Sequence, residues 1–334
     1  MSLLAGFLLV LLAGLLQGTF VLPMTMVRRW SWEHTWATFS LLGMFVFNWI
    51  ITLAFIPQIG TVYSLSPARD LVILALFGAG WGAGAILFGL GMDRLGMALG
   101  YPVIMGLIAS LGALIPMLVF FPQTIFTAKG LFLIGSTALV IVGIVLCSMG
   151  GSERSPSSAS GSSTSALRTG LIIAILAGIL SCLPNVGMAF GDSVIKTAQH
   201  LGVPASQSPN AVWALLFTLG CVVNLAYCVY LMCINGTLRT YCSSETIRNL
   251  GLSALMALIW IGSFYLYGAG VSRLGRWGAV VGWPLFISLS IVTGNLWGIS
   301  RGEWRGAPAR GRRLLNMGLG VLLIAVVTIA LSTA

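Results

Sequence analysis

The chain has 334 residues, of which 58% are hydrophobic and only 7% are charged, and its formal net charge at pH 7 is +10. Ordinary soluble domains carry roughly a quarter charged residues, so this composition excludes a water-soluble enzyme. The positive charge comes almost entirely from arginines in short connecting segments, which indicates membrane topology and argues against nucleic-acid binding.

Apolar runs long enough to cross a bilayer follow one another along the whole chain. Runs of about 20 residues match a hydrocarbon thickness of ~30 Å at 1.5 Å per residue. Uninterrupted runs exclude the alternating pattern of barrel strands, so the sequence predicts an all-α integral membrane protein. The ten predicted transmembrane helices are 3–27, 35–57, 71–92, 97–121, 130–149, 169–192, 209–233, 250–271, 277–299 and 314–333.

A serine-rich segment, 150–168, separates the fifth predicted helix from the sixth, and its composition predicts a flexible linker. The linker divides the chain into two five-helix halves, 1–149 and 169–334. Twelve of the seventeen lysines and arginines fall on the membrane side opposite the amino terminus. We therefore expect the linker and 301–313 to be cytoplasmic and both termini to lie outside.

The two halves resemble each other in sequence. Residues 89–96 (GLGMDRLG) recur as 268–275 (GAGVSRLG), and 100–102 (GYP) correspond to 282–284 (GWP). Because each half holds an odd number of helices, the second half must be inverted relative to the first. The sequence therefore predicts two inverted five-helix repeats, an architecture typical of secondary transporters.

Prolines interrupt corresponding helices of the two halves. Transporters of this architecture bind substrate near the midplane between the repeats, where Gly- or Pro-containing helices are broken. Pro102 and Pro284, together with Pro184 in the sixth helix, are predicted to kink their helices, because proline lacks a backbone donor. We expect Tyr101 and Trp283 to line the substrate cavity. The alternative is that the kinks serve packing alone.

Amide and aromatic side chains in the apolar runs extend this candidate site. Gln17, Asn185 and Asn295 are costly in lipid unless they find a partner or face water. Aromatic rings such as Trp81 and Tyr265, beside amide hydrogen-bonders, suit a neutral polyhydroxylated ligand such as a sugar. For other residues of these types we expect structural roles. Asn48 and Asn224 are expected to form hydrogen bonds between helices, and an aromatic belt at the membrane interface is expected for Trp30, Trp32, Trp36 and Trp304.

Asp192 is the acidic residue predicted to carry a coupled proton. The other six acidic residues fall at helix ends or in loops, whereas Asp192 ends a long apolar run with Lys196 one turn further on. A buried carboxylate changes its proton affinity with its surroundings, as a proton symporter requires. The alternative is an ordinary ion pair between Asp192 and Lys196 at the membrane interface.

Enzymatic chemistry and metal binding find no support in the sequence. The six cysteines form no Cys-x-x-Cys pair, and the chain has only two histidines, His34 and His200. The sequence lacks paired aspartates for prenyl chemistry, a His-Glu-x-x-His motif and a serine elbow. We expect no metal, no cofactor and no catalytic residue.

Several of these motifs together resemble a known family. Residues 77–84 (FGAGWGAG) and 94–97 (RLGM) are similar to the third and fourth helices of the bacterial rhamnose/proton symporter family, which belongs to the drug/metabolite transporter superfamily. Residues 29–33 (RWSWE) and 303–304 (EW) support the resemblance. It implies ten spans in inverted five-helix repeats, a cavity lined by helices one, three, four, six, eight and nine, and uptake of a rhamnose-like deoxy sugar with protons. Together with the distribution of arginines, this predicts a multi-pass bacterial inner membrane protein that has periplasmic termini and works by alternating access. An exporter of another small polar metabolite, with the same fold, is the alternative.

Overall fold

The computed structural model of the protein describes residues 3–154 and 164–331, in which no residue is assigned to a strand. A π-helix, Ser40–Phe47, joins the second and third α-helices. The α-helices are α1 (Leu3–Thr19), α2 (Trp32–Phe39), α3 (Asn48–Phe55), α4 (Ile59–Leu65), α5 (Ala68–Phe120), α6 (Ala128–Arg154), α7 (Thr164–Ser181), α8 (Leu183–Phe190), α9 (Asp192–His200), α10 (Asn210–Ile234), α11 (Thr246–Arg273), α12 (Gly278–Ser300) and α13 (Ala309–Leu331).

Within the described ranges, ten helical stretches are long and apolar enough to cross a membrane. They coincide with the ten predicted helices to within a few residues at each end, so the predicted all-α membrane fold is confirmed. We number them as spans 1 to 10: Leu3–Met26, Trp32–Phe55, Ala68–Leu95, Gly100–Phe120, Gly130–Glu153, Arg168–Phe190, Asn210–Ile234, Thr246–Arg273, Gly275–Ser300 and Ala309–Ile329.

Spans 3 and 4 belong to one continuous helix, α5, which reverses its direction. Its 53 residues would extend about 80 Å if straight, far beyond the ~30 Å hydrocarbon core. A Cβ atom built on Gly91 would lie 3.1 Å from Cδ1 of Ile104, although thirteen residues of straight helix would separate the two by about 20 Å. The helix therefore folds back between these residues, and glycine at 91 leaves room for the returning segment.

Span 6 is interrupted close to Pro184. Helix α7 ends at Ser181, Cys182 is a turn residue, and α8 begins at Leu183. A proline in a helix clashes with the carbonyl one turn before it and offers no N–H, which accounts for a break just upstream. Pro102 and Pro284 instead lie within helices assigned without interruption, so kinks there stay predictions.

Span 2 contains a feature that the sequence does not predict. Ser40–Phe47 is π-helical, with wider turns than an α-helix. At its end, Nδ2 of the fully buried Asn48 donates hydrogen bonds to the carbonyl oxygens of Met44, at 3.0 Å, and Trp213, at 3.2 Å. The asparagine thus ties the π-helix to the start of span 7.

The chain divides into two compact units, and both contain parts of each half of the sequence. The first unit consists of Met1–Ala83 and Gly187–Gly275, and the second of Gly84–Val186 and Arg276–Ala334. The predicted linker 150–168 is helical up to Arg154 and again from Thr164, while residues 155–163 lie outside the described residues.

Helix packing within each unit is compatible with the inverted repeat. In the first unit, span 1 packs on span 8, and a Cβ built on Gly270 would lie 2.9 Å from the carbonyl oxygen of Gly6. The repeat relates this pair to spans 6 and 3, and in the second unit a Cβ on Gly84 would lie 2.8 Å from Cβ of Leu180. Both pairs approach closely because glycine removes the side chain at the contact.

Candidate functional site

The second unit contains a cavity of about 190 Å³ where span 4 begins and where α6 and α12 end. The lining begins at Ser290, ten residues before α12 ends, and continues past the end of that helix to Trp304. Its lining combines aromatic rings with small polar groups: Tyr101, Cys147, Ser148, Gly151, Ser290, Ile291, Gly294, Asn295, Gly298, Glu303 and Trp304.

Two of the predicted substrate-binding residues, Tyr101 and Asn295, come together in this cavity. The Asn295 side-chain amide donates to the carbonyl oxygen of Ile291 at 2.9 Å, which uses a donor and leaves Oδ1 as an acceptor for a ligand hydroxyl. Ser290 likewise donates to its own helix, to the carbonyl oxygen of Ile287 at 2.8 Å. The cavity thus presents oxygen acceptors beside aromatic faces, a combination that suits a small polyhydroxylated molecule.

Asn185 and Trp283 are also in the second unit, but they do not line this cavity. Asn185 is fully buried, and its Nδ2 donates to the carbonyl oxygens of Gly112, at 2.7 Å, and Ala279, at 2.9 Å. The buried indole N–H of Trp283 donates to the carbonyl oxygen of Ile108 at 2.8 Å. Both side chains hold helices together in this conformation.

The remaining predicted binding residues lie in the first unit and contact neighbouring helices. Trp81 is half-buried and stacks on Trp260, with 5.7 Å between ring centroids and an interplanar angle of 16°. Gln17 Oε1 accepts a hydrogen bond of 2.8 Å from the Ser263 hydroxyl. The Tyr265 hydroxyl lies 2.8 Å from both the carbonyl oxygen and Oδ1 of Asn48. In this conformation Tyr265 and Gln17 thus form hydrogen bonds between helices, and their role in sugar binding stays a prediction.

The predicted proton carrier, Asp192, is exposed. Asp192 begins α9, and its Oδ2 lies 2.6 Å from Nζ of Lys196, with more than 60% of each side chain accessible. An exposed pair one helical turn apart is the geometry of the interfacial ion pair that we considered as the alternative. A coupling role for Asp192 stays a prediction.

Sequence reasoning missed the buried titratable residues at the start of α2. Glu33 and His34 lie in its first turn, as expected for a helix end, but their exposed fractions are 5% and 0%. The only sequence signal is the aromatic sequence around them, 30–36 (WSWEHTW), which offers rings to cover polar groups.

The cysteines provide neither a disulfide nor a metal site. All six are free, four of them buried and two, Cys233 and Cys242, exposed. No group of three or more histidine, cysteine, aspartate or glutamate side chains that could hold a metal occurs among the described residues.

Comparison with known proteins identifies the family. The family model described as "L-rhamnose-proton symport protein" matches residues 2–334. The chain belongs to this family. A relative from Cronobacter sakazakii, named L-rhamnose-proton symporter, is 26% identical over 322 residues, covering 94% of this chain and 93% of the relative. Relatives of the same name from Mannheimia succiniciproducens, 24% identical with 94% of each chain covered, and from Escherichia coli, 26% identical with 92% and 91% covered, are similar over comparable lengths.

The chain is therefore a transporter rather than an enzyme, because the family is one of L-rhamnose-proton symporters. Its ten apolar helices make it a multi-pass inner membrane protein. The match runs through both halves of the sequence, so it includes the cavity of the second unit and the buried start of α2. Sugar and protons are the substrates that the family implies.

Proposed function

We propose that the protein imports a rhamnose-like deoxy sugar together with protons by alternating access. The observation that carries the proposal is the end-to-end match to the symporter family, since it covers residues 2–334. The symporter family gives no support to the exporter that we considered from the sequence. Within the family's sugar substrates, the small size of the cavity in the second unit favours a monosaccharide over a larger ligand.

We further propose that the sugar contacts Tyr101 and Asn295 as it passes through the cavity of the second unit. Aromatic rings pack against the apolar C–H face of a sugar, and amide and hydroxyl oxygens accept hydrogen bonds from its rim. The other predicted binding residues remain candidates for other stages of the transport cycle: Trp81, Trp283, Asn185, Gln17 and Tyr265. At such a stage their present contacts with neighbouring helices would be replaced by contacts with the sugar.

A counterflow screen tests the substrate. Purified protein in proteoliposomes loaded with unlabelled L-rhamnose, L-fucose, D-glucose or D-ribose is assayed for uptake of the same labelled sugar. We expect L-rhamnose to give the fastest exchange, because the family is one of rhamnose symporters. Absence of exchange with every sugar would contradict the proposal.

The proposed orientation places both termini in the periplasm and residues 301–313 in the cytoplasm, because most arginines lie on that side. With Cys233 and Cys242 replaced by serine, a cysteine at Ser158 should resist an impermeant thiol reagent in intact cells. A cysteine at Thr61, on the exposed surface of α4 at the opposite side of the membrane, should react. The reverse labelling pattern would overturn the orientation.

A further inference from the structure

The start of α2 holds a histidine that is buried with one unpartnered nitrogen. His34 has no exposed surface, and its Nε2 lies 2.9 Å from the carbonyl oxygen of Thr237. Because a carbonyl oxygen can only accept, Nε2 must carry the hydrogen of this bond. In the neutral ring Nδ1 then carries a lone pair and no hydrogen, and this nitrogen has no hydrogen-bond partner. His34 is thus poised to accept one proton, at Nδ1.

A buried carboxylate supplies the opposite charge. Glu33 Oε1 accepts hydrogen bonds from the hydroxyl of Thr237, at 3.0 Å, and from Nδ2 of Asn235, at 3.4 Å, and the carboxylate interacts electrostatically with His34. Donors directed at a carboxylate favour its ionised form. A proton gained by His34 would therefore lie in the field of an opposite charge rather than form an isolated buried charge, which would be far more costly.

One turn of backbone positions both groups. Helix α10 ends at Ile234, and Gly236 has φ +64, a left-handed conformation that glycine adopts without strain. The turn brings Thr237 back to the start of α2. There the Thr237 hydroxyl donates a hydrogen bond to Glu33, and the Thr237 carbonyl oxygen accepts one from His34. The tautomer of the imidazole and the placement of the carboxylate are thus set by the same residue.

Besides Glu33, the titratable groups around His34 are a phenol, a thiol and the guanidinium groups of exposed arginines. Tyr241, from the 3-10 turn after α10, contacts the imidazole with 4.7 Å between ring centroids, and burial raises the pKa of its phenol, so the phenol stays neutral. Cys228, from α10, is a buried thiol. The arginines of the adjoining segments, Arg28, Arg29 and Arg239, are exposed residues.

We propose that His34, with Glu33 as its counter-charge, is the site that binds the co-transported proton. The inference rests on the proposed function, since it assigns the coupling step of that symport to residues of the first unit. Proton uptake forms an N–H bond at Nδ1, and release to water returns the neutral Nε2–H tautomer, so no other reactant is needed.

The test is the number of protons that move with L-rhamnose in proteoliposomes. His34→Gln removes the titrating ring but can still donate to the Thr237 carbonyl, and His200→Gln, at an exposed position, is the matched control. We expect His34→Gln to keep rhamnose counterflow while rhamnose-driven proton movement falls at least about tenfold; His200→Gln should keep both. Unchanged proton movement in His34→Gln would overturn the proposal.

A second measurement covers a His34→Gln protein that fails to fold or to exchange sugar. Since the chain has two histidines, His200→Gln protein labelled with ¹⁵N-histidine gives the spectrum of one imidazole. We expect the Nε2–H tautomer in alkaline buffer and a second N–H, at Nδ1, in acidic buffer. A ring that stays neutral throughout would contradict the site. Wild-type protein that moves rhamnose without protons would instead contradict the proposed function, whatever the spectrum shows.

Discussion

Two helix starts in the first unit carry an acidic residue with a basic residue nearby, and they differ in burial. At the start of α2, Glu33 and His34 are covered by the turn that follows α10. At the start of α9, Asp192 and Lys196 form an ion pair with both side chains mostly in solvent. The sequence favours Asp192 as the proton carrier because it ends a long apolar run. The structure shows that burial depends on what packs over a helix start, which the run itself does not specify.

Substitutions of the acidic residues at the two helix starts should differ most in their effect on sugar accumulation. Glu33→Gln keeps an acceptor for the Thr237 hydroxyl but removes the negative charge that would balance a protonated His34. We expect this variant to lose uphill L-rhamnose accumulation under a pH gradient while retaining counterflow. Asp192→Asn, the control, should accumulate within about twofold of wild type, because its pair is exposed.

Loss of accumulation in Asp192→Asn, with accumulation preserved in Glu33→Gln, would reverse the assignment. It would restore the carboxylate that the sequence favours as the coupling group.

The next largest effect is on the stability of the second unit, where a buried and an exposed tryptophan can be compared. Trp283 is 2% exposed and Trp297, on the same helix, is 39% exposed. Because a truncated buried tryptophan leaves a cavity, Trp283→Ala should lower stability by about 3–5 kcal/mol. Trp297→Ala should lower it much less. Thermal unfolding in one detergent measures both, and equal losses would show that Trp283 does not anchor its helix.

Much of the fold can be predicted from the sequence because a bilayer imposes one length and one polarity on each helix. The ten spans follow from these constraints. The π-helix over Ser40–Phe47 cannot be predicted in this way, since its residues are as apolar as those of any span and Asn48 reveals its role only through contacts with span 7. The reversal of α5 is likewise hidden, because helical hydrogen bonding continues through it.

The candidate site shows the same limit. Tyr101 and Asn295 meet in one cavity, whereas Asn185, with the same amide chemistry, has its Nδ2 bonded to two carbonyl groups. Amide chemistry in an apolar run indicates that a partner exists, but it does not tell whether the partner is a substrate or a helix. The burial of His34 cannot be predicted from the sequence, because a single histidine beside loop residues carries no periodic signal.

A smaller effect concerns sugar affinity. Asn295→Ala should raise the KM for L-rhamnose by about two- to tenfold, which corresponds to one hydrogen bond of about 0.5–1.5 kcal/mol. Leu296→Ala, at an adjacent exposed position, is the control and should leave KM unchanged. Initial uptake rates measure both variants. If Asn295→Ala also leaves KM unchanged, the cavity of the second unit is not part of the sugar path.

The smallest effect is on the stability of the exposed pair. Lys196→Ala removes a salt bridge whose side chains are mostly in solvent, and such pairs contribute about 0–1 kcal/mol. We expect a shift in thermal unfolding close to the error of the measurement, and less at high salt because exposed charges are screened. A large destabilisation would mean that the ion pair between Asp192 and Lys196 contributes more to the free energy of unfolding than its exposure indicates.

Rhamnose-evoked pH change in proteoliposomes of the wild-type protein tests the central claim most directly. With no pH gradient at the start, L-rhamnose is added outside in weakly buffered medium, and the external pH is recorded. Proton-coupled import predicts that the external medium becomes more alkaline as sugar enters, and that a protonophore abolishes the signal. Entry of rhamnose with no pH change, or with acidification of the medium, would contradict it.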